Sequence, residues 1–341
     1  MPSPFLSRRH FMALSAGAAA FTAAGPRAAF AAQKIDLGVA SIDPIYAAIY
    51  VALKNGYLPD VNYANVQSGP RAKQLLAAKQ ITAAVTGVND SVALSVAGKQ
   101  SVVVYGIDTR SALANIMVNK DVYDSGVRTA KDLAGRSLGV TAPQAATWLM
   151  AVYITEKVGL KDKVQIKPMG DFSTMAAAVK SKGIDACIAT FAMLEKGKEE
   201  GWGVPLYNVS DDASWNEIFG GDLPGLGVYV LEDTLKERPD DIQAMVTGLV
   251  KANDLIQAKS SEEVAALIQP DYLSSFSMPS VVSAVTLFKK LWSKDNIISE
   301  TSYARLAAIM GSGRMYSDKE MAEATYAKNI DMSFVRKARG V

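Results

Sequence analysis

Ile35-Asp36-Leu37-Gly38-Val39-Ala40-Ser41-Ile42-Asp43-Pro44 is the stretch on which the fold turns. An apolar run with strand character passes through a short polar turn into Asp-Pro, an N-cap followed by proline in the first helical turn. The helix so opened runs through Lys54 and stops at Gly56. The same alternation continues outward. Strands are predicted over 61–67, 81–86 and 101–107, separated by helices over 71–79 and from about Asp90 to Ala97. Strands alternating with helices imply a mostly parallel sheet covered on both faces.

Between Leu133 and Val209 the order returns, with strands over 136–140, 164–168, 186–190 and 204–209 and a helix over 144–158. A local phrase repeats as well. Residues 77–86 and 179–190 each give a helix end, a lysine-containing turn, an isoleucine and a strand of small residues. After the strand 228–231 the pattern is helical: 239–259, 261–268, 279–292, 302–309 and a last helix from Asp318. A chain that leaves one lobe, builds a second and returns crosses twice, at 114–119 and 226–231. The expected architecture is α/β and two-lobed, with lobe one formed by 33–116 and 228–341, lobe two by 117–227, and a two-segment hinge between them.

Ser7-Arg8-Arg9-His10-Phe11 precedes an Ala/Gly/Phe-rich apolar stretch and the small-x-small Ala29-Phe30-Ala31. This reads as a secretory leader over residues 1–31, with paired arginines of the twin-arginine kind. Its removal takes Arg8, Arg9 and Arg27, leaving 33 of the 36 basic residues against 34 acidic ones. No basic stripe for nucleic acid remains. His10, the sole histidine, leaves too, which removes Ser-His-Asp and Cys-His chemistry and His-ligated metal. Cys187, alone in Ala186-Cys187-Ile188-Ala189, reads as a core thiol. Neither a cofactor nor a metal is expected. About 310 residues remain after the leader, enough for two domains.

The ordered set of local phrases resembles the NMT1/THI5-like group of type II periplasmic binding proteins, which includes nitrate, sulfonate, taurine and thiamine-pyrimidine receptors. It is carried by Leu37-Gly38-Val39-Ala40, Ala52-Leu53-Lys54-Asn55-Gly56-Tyr57-Leu58 and Gly87-Val88-Asn89-Asp90. It continues in Lys131-Asp132-Leu133-Ala134-Gly135-Arg136-Ser137-Leu138-Gly139-Val140, Lys182-Gly183-Ile184-Asp185-Ala186 and Gly227-Val228-Tyr229-Val230. The resemblance implies a monomeric periplasmic receptor of an ABC importer, its partners a small-molecule ligand and a membrane permease with a separate ATPase. The group's histidine-dependent pyrimidine synthase branch does not fit a mature chain without histidine.

In open parallel sheets, ligands sit outside the carboxyl ends of strands, where helix N-termini gather and favour anions. That rule selects Ser41, Asp43 and Tyr46; Ser68 and Arg71; and Val88 and Asn89 in lobe one. In lobe two it selects Gln144, Thr147 and Trp148; Asp171; and Phe191. Arg71 and Arg110 are either a bidentate clamp on a carboxylate or sulfonate or solvated surface arginines. Asp43 either caps its own helix or faces the cleft, where it suits a ligand amine. Gln144, Thr147 and Trp148 open the first helix of lobe two, where amides and side chains either meet a ligand together or leave Thr141 as a plain N-cap. Tyr46, Trp148, Phe172 and Phe191 either stack on a ring or belong to the core. Trp215 and Phe219 precede the return crossing. A small organic anion, a sulfonate or aromatic carboxylate, is the leading ligand expectation. A pyrimidine- or flavin-type vitamin precursor is the alternative, and a sensor subunit or a lyase on the same fold are the rival functions.

Overall fold

The computed structural model describes residues 34–207, 209, 211–312 and 316–341. The expected twin-arginine leader over 1–31 lies outside the described residues. The chain begins with β1 (Ile35–Val39), a single turn of 3-10 helix Pro44–Tyr46 and α1 (Ala47–Lys54). Next come β2 (Val61–Asn65), α2 (Gly69–Ala77), β3 (Ala83–Gly87), α3 (Val88–Val96) and β4 (Ser101–Gly106). It then passes through 107–114 into β5 (Asn115–Asn119), α4 (Lys120–Asp124), β6 (Ser137–Val140) and α5 (Ala146–Lys157). There follow β7 (Gln165–Pro168), α6 (Phe172–Lys180), β8 (Ala186–Ala189), α7 (Phe191–Glu199), β9 (Gly203–Tyr207) and α8 (Asp212–Phe219). The return strand is β10 (Leu226–Leu231), trailed by α9 (Glu232–Glu237), α10 (Pro239–Ala258), α11 (Ser261–Tyr272) and α12 (Met278–Leu291). The chain finishes with α13 (Glu300–Ser312), α14 (Asp318–Glu323), α15 (Tyr326–Asn329) and α16 (Ser333–Arg339).

Two five-stranded sheets result, in the orders β2-β1-β3-β10-β4 and β7-β6-β8-β5-β9. These are one plan used twice. In each sheet the fourth strand in space, β10 or β5, is the one that enters from the other lobe, and each runs antiparallel to its neighbours. A strand arriving from the side where the parallel strands end has to run the other way. The crossing segments expected at 114–119 and 226–231 are strands built into the two sheets. The passages themselves are residues 107–114, which end in a 3-10 turn at Ala112–Ala114, and the stretch after β9 that carries α8 and ends at Gly225.

The repeated phrase falls on equivalent elements. Lys79 and Lys182 both adopt left-handed φ, 55° and 65°, where helices α2 and α6 turn toward β3 and β8. The following isoleucines, Ile81 and Ile184, each reach over a glycine in the neighbouring parallel strand. A Cβ on Gly38 would lie 2.6 Å from Ile81 Cδ1, and one on Gly139 would lie 2.5 Å from Ile184 Cδ1. Both sheets thus use a glycine strand position to seat an isoleucine.

The two passages are bound to each other by one carboxylate. Asp108 Oδ1 accepts hydrogen bonds from Gly225 N and Leu226 N, both at 2.8 Å, and Oδ2 accepts from Ala112 N at 3.3 Å. Ile107 N to Leu226 O (3.0 Å) and Leu223 N to Thr109 O (2.8 Å) extend the pairing. Gly225 lies so close to Ser111 that a Cβ there would meet its Cα at 2.4 Å. Burial outweighs the amide donors and pushes the Asp108 carboxyl up to about 7.

As pH rises from about 4 toward 7, the unfolded chain releases this proton while the folded clasp retains it, so stability falls across that window and levels off above it. Asp108→Asn carries no such proton. In urea titrations at stepped pH, the stability of the native protein relative to Asp108→Asn should decline from pH 4 to pH 7. A constant difference would contradict the buried-acid reading.

Candidate functional site

The carboxyl ends of β1, β2 and β3 face those of β6, β7 and β8, and the loops that leave them meet in one place. There Ala40, Tyr46, Gly69, Pro70, Thr86, Gly87 and Asp90 of the first lobe oppose Thr141, Ala145, Ala146, Thr147 and Phe172 of the second. Leu113 and Leu226 from the passages close the back. The enclosed cavity is about 10 Å³, the space of about one water molecule. The walls touch: a Cβ on Gly87 would lie 2.8 Å from the Cβ of Ala146. Beside it, α2 and the loops after β6 and β7 form a wider groove of about 550 Å³, lined by Ser68, Arg71, Gln74, Thr141, Ala142 and Gly170 among others.

Asp43 answers the alternative left open by the sequence with both roles. Its Oδ1 accepts from Ile45 N at 3.0 Å and so caps the turn Pro44–Tyr46. Its Oδ2 reaches across and accepts from Ala192 N at 2.8 Å, an amide in the first turn of α7 in the other lobe. A carboxylate there meets the positive end of the helix. Burial nonetheless dominates and pushes the Asp43 carboxyl up to about 6. Two further contacts join the lobes beside it. Phe191 packs edge-on against Phe288 of α12 at 5.2 Å, and Ser280 Oγ of α12 donates to Glu199 Oε1 of α7 at 2.6 Å.

The remaining candidates divide by what holds them. Tyr46 and Thr147 line the cavity. Thr147 Oγ1 accepts from Thr141 N at 2.9 Å, so the two threonines tie the loop to the helix, while Ala145, without a side-chain bond, occupies the cap of α5. Ser41 is half-buried next to the Tyr46 phenol. Ser68 caps α2 through Arg71 N and lines the groove, where Arg71 is exposed. Asp171 caps α6 through Thr174 N at 2.7 Å. Gln144 is exposed with φ 62° and Trp148 is half-buried against the core; neither lines the cavity.

Three expectations need correction. Val88 is fully buried, with its N–H on Gly225 O and its side chain against the return strand, because α3 begins two residues earlier than expected. Arg110 belongs to the passages. It pairs with Asp212 Oδ1 at 2.6 Å and lies over the Trp215 ring, which stacks on Phe219. Phe191 serves lobe packing rather than the cavity. Asn89 is buried beside the cavity, its Nδ2 without a partner. The sequence reading passed over Thr86 and Asp90, the latter because an acid in the first turn of a helix reads as an ordinary start signal.

A family model described as NMT1/THI5 like matches residues 43–263, a span that takes in every cavity-lining residue but Ala40. The chain belongs to the NMT1/THI5-like family. Among solved structures, a protein from Bordetella bronchiseptica RB50 has a TM-score of 0.78 at 22% identity, covering 90% of this chain and 97% of that one. The nitrate-binding protein NrtA from Synechocystis PCC 6803 has a TM-score of 0.72 at 12% identity, covering 90% of this chain and 88% of that one. The alkanesulfonate-binding protein SsuA from Xanthomonas axonopodis pv. citri, bound to MOPS, has a TM-score of 0.70 at 14% identity, covering 86% and 98% respectively. No curated protein sequence matches the chain. The fold of this NMT1/THI5-like chain is that of the periplasmic binding proteins. No helix among the described residues is long and apolar enough to cross a membrane.

Gly87→Val should wedge the lobes apart at Ala146, and small-angle scattering should show a larger radius of gyration than for the native protein. Asp43→Ala removes both the turn cap and the bridge to α7. A loss of about 1–3 kcal/mol in urea unfolding is expected; no loss would mean that the bridge to Ala192 contributes nothing.

Proposed function

We propose that the chain is an exported solute-binding receptor of an ABC importer, capturing one small organic molecule between its lobes and presenting the closed form to a membrane permease. The observation that carries this reading is the convergence of strand-end loops from two like sheets on a single cavity, with two passages as the hinge. Such a site opens and closes by rotation about few residues. A ligand that touches both lobes favours the closed form by its extra affinity for that state. The nitrate- and alkanesulfonate-binding neighbours support a receptor role. The paired arginines ahead of the apolar leader support export to the periplasm by the twin-arginine route. The only cysteine, Cys187, is buried, and burial pushes its thiol well above the ordinary range, which argues against a thiol nucleophile.

A sulfonate or aromatic carboxylate, the leading expectation from sequence, finds support in Arg71, exposed on the groove that leads to the cavity. Arg110, committed to Asp212, adds none.

A thermal-shift screen against sulfonates, aromatic acids, nitrate, amines, pyrimidines and flavins tests the receptor reading. A true solute raises the midpoint in a concentration-dependent way, by about 2.7 kcal/mol at a hundredfold excess over Kd. The same solute should shrink the radius of gyration. A solute that is consumed while bound would make the chain an enzyme and overturn the proposal.

A further inference from the structure

Among the residues lining the cavity, Asp90 is the sole carrier of formal charge. It is 1% exposed, and its surroundings are built to hold it. Thr86 Oγ1 donates to Oδ2 at 2.8 Å, and the Tyr229 hydroxyl lies 2.9 Å behind that threonine. Gly69 leaves the room it needs, since a Cβ there would come within 2.7 Å of Oδ2. The other oxygen is different. Asp90 Oδ1 has no hydrogen-bond partner, and its ion pair, with Lys73 Nζ, is long at 3.8 Å. The adjacent Asn89 Nδ2 is also buried and unpartnered. A buried acceptor left unsatisfied costs free energy, and a carboxylate more than a neutral group. The wall beside it is aromatic, with Tyr46 and Phe172.

We propose that Asp90 is the ligand-recognition residue of the cleft and that it takes an N–H donor, a protonated amine or the amino group of a ring, in preference to an anion. This rests on the receptor reading above and names the substrate class of that site. An approaching sulfonate or carboxylate meets a carboxylate oxygen whose only nearby cation among the described residues is the Lys73 ammonium, 3.8 Å away. An amine instead supplies the hydrogen bond that Oδ1 lacks. The positive end of α7, which an anionic group would seek, is already taken by Asp43.

Isothermal titration with benzylamine and 4-aminopyrimidine, against benzoate and benzenesulfonate as matched anions, tests this on the native protein and Asp90→Asn. The amine-bearing pair should bind the native protein, and Asp90→Asn should weaken that binding about 10–100-fold. The unliganded variant should melt no lower than the native protein, since it loses an unsatisfied buried carboxylate. Preference for the anions, retained or strengthened in Asp90→Asn, overturns the recognition role and leaves the receptor standing. Binding by none of the four probes overturns it as well, while the broader solute screen judges the receptor separately. A clearly lower melting point of Asp90→Asn makes Asp90 a structural partner of Lys73 and sinks the inference too. Benzylamine against 4-aminopyrimidine separates a free ammonium from a ring amino group.

Discussion

The buried Asp108 side chain binds the two passages between the lobes to each other, and the cleft is built on that junction. The chain passes between the two sheets after β4 and again after β9, and Asp108 ties these passages together by accepting from backbone amides on both sides. That clasp, with the Ile107–Leu226 and Leu223–Thr109 pairing beside it, sets where the loops after β1–β3 stand against those after β6–β8. Its burial is part of the device. A side-chain acceptor satisfied by main-chain donors binds the two passages where Gly225 comes close to Ser111. The Arg110–Asp212 pair and the Trp215–Phe219 stack then brace the outside of the same junction. Arg110 is thus used for the geometry of the hinge rather than for the solute.

Closure across this hinge rests on few contacts. The Asp43–Ala192 bond, the Phe191–Phe288 packing and the Ser280–Glu199 bond are separate points, each of the order of 1–3 kcal/mol. A receptor needs that scale. Were the closed form favoured by far more, no solute could enter. Were it not favoured at all, each solute would have to supply the whole of the closing free energy. Glycines set the distance of approach, with Gly87 letting the first lobe reach Ala146.

The architecture was legible because periodicity and glycine punctuation mark strand ends well. The phrase shared by 77–86 and 179–190 announced the duplicated plan, and the structure explains it as a left-handed lysine followed by an isoleucine seated over a strand glycine. What was not legible depended on partners distant in sequence. The crossing strands were legible as strands, but nothing local says that each inserts antiparallel as the fourth strand of a sheet. The short helices α4 and α9 gave no periodic signal to read, and the terminal helix from Asp318 breaks into α14, α15 and α16. At the site, caps such as Ser68 and Asp171 were visible in turn chemistry. Val88 was not, since its role follows from a helix start shifted by two residues. Arg110 could not be assigned without Asp212, a partner far along the chain.

The fold's own electrostatics favour anions, because helix N-termini point into the space between the lobes. The side chains of this chain work against that bias. Asp43 supplies a carboxylate to the first turn of α7, cancelling part of the positive field before any solute arrives. Asp90, in the first turn of α3, does the same from the opposite wall. Two helix ends that a bare backbone would offer to an anion are answered from within the protein. The net field in the cavity is then set by which carboxylate oxygens remain unsatisfied rather than by the helices. Fold and ligand charge are separate variables in such a scaffold, and side chains at helix starts can alter the charge of the cleft while every strand and helix stays in place.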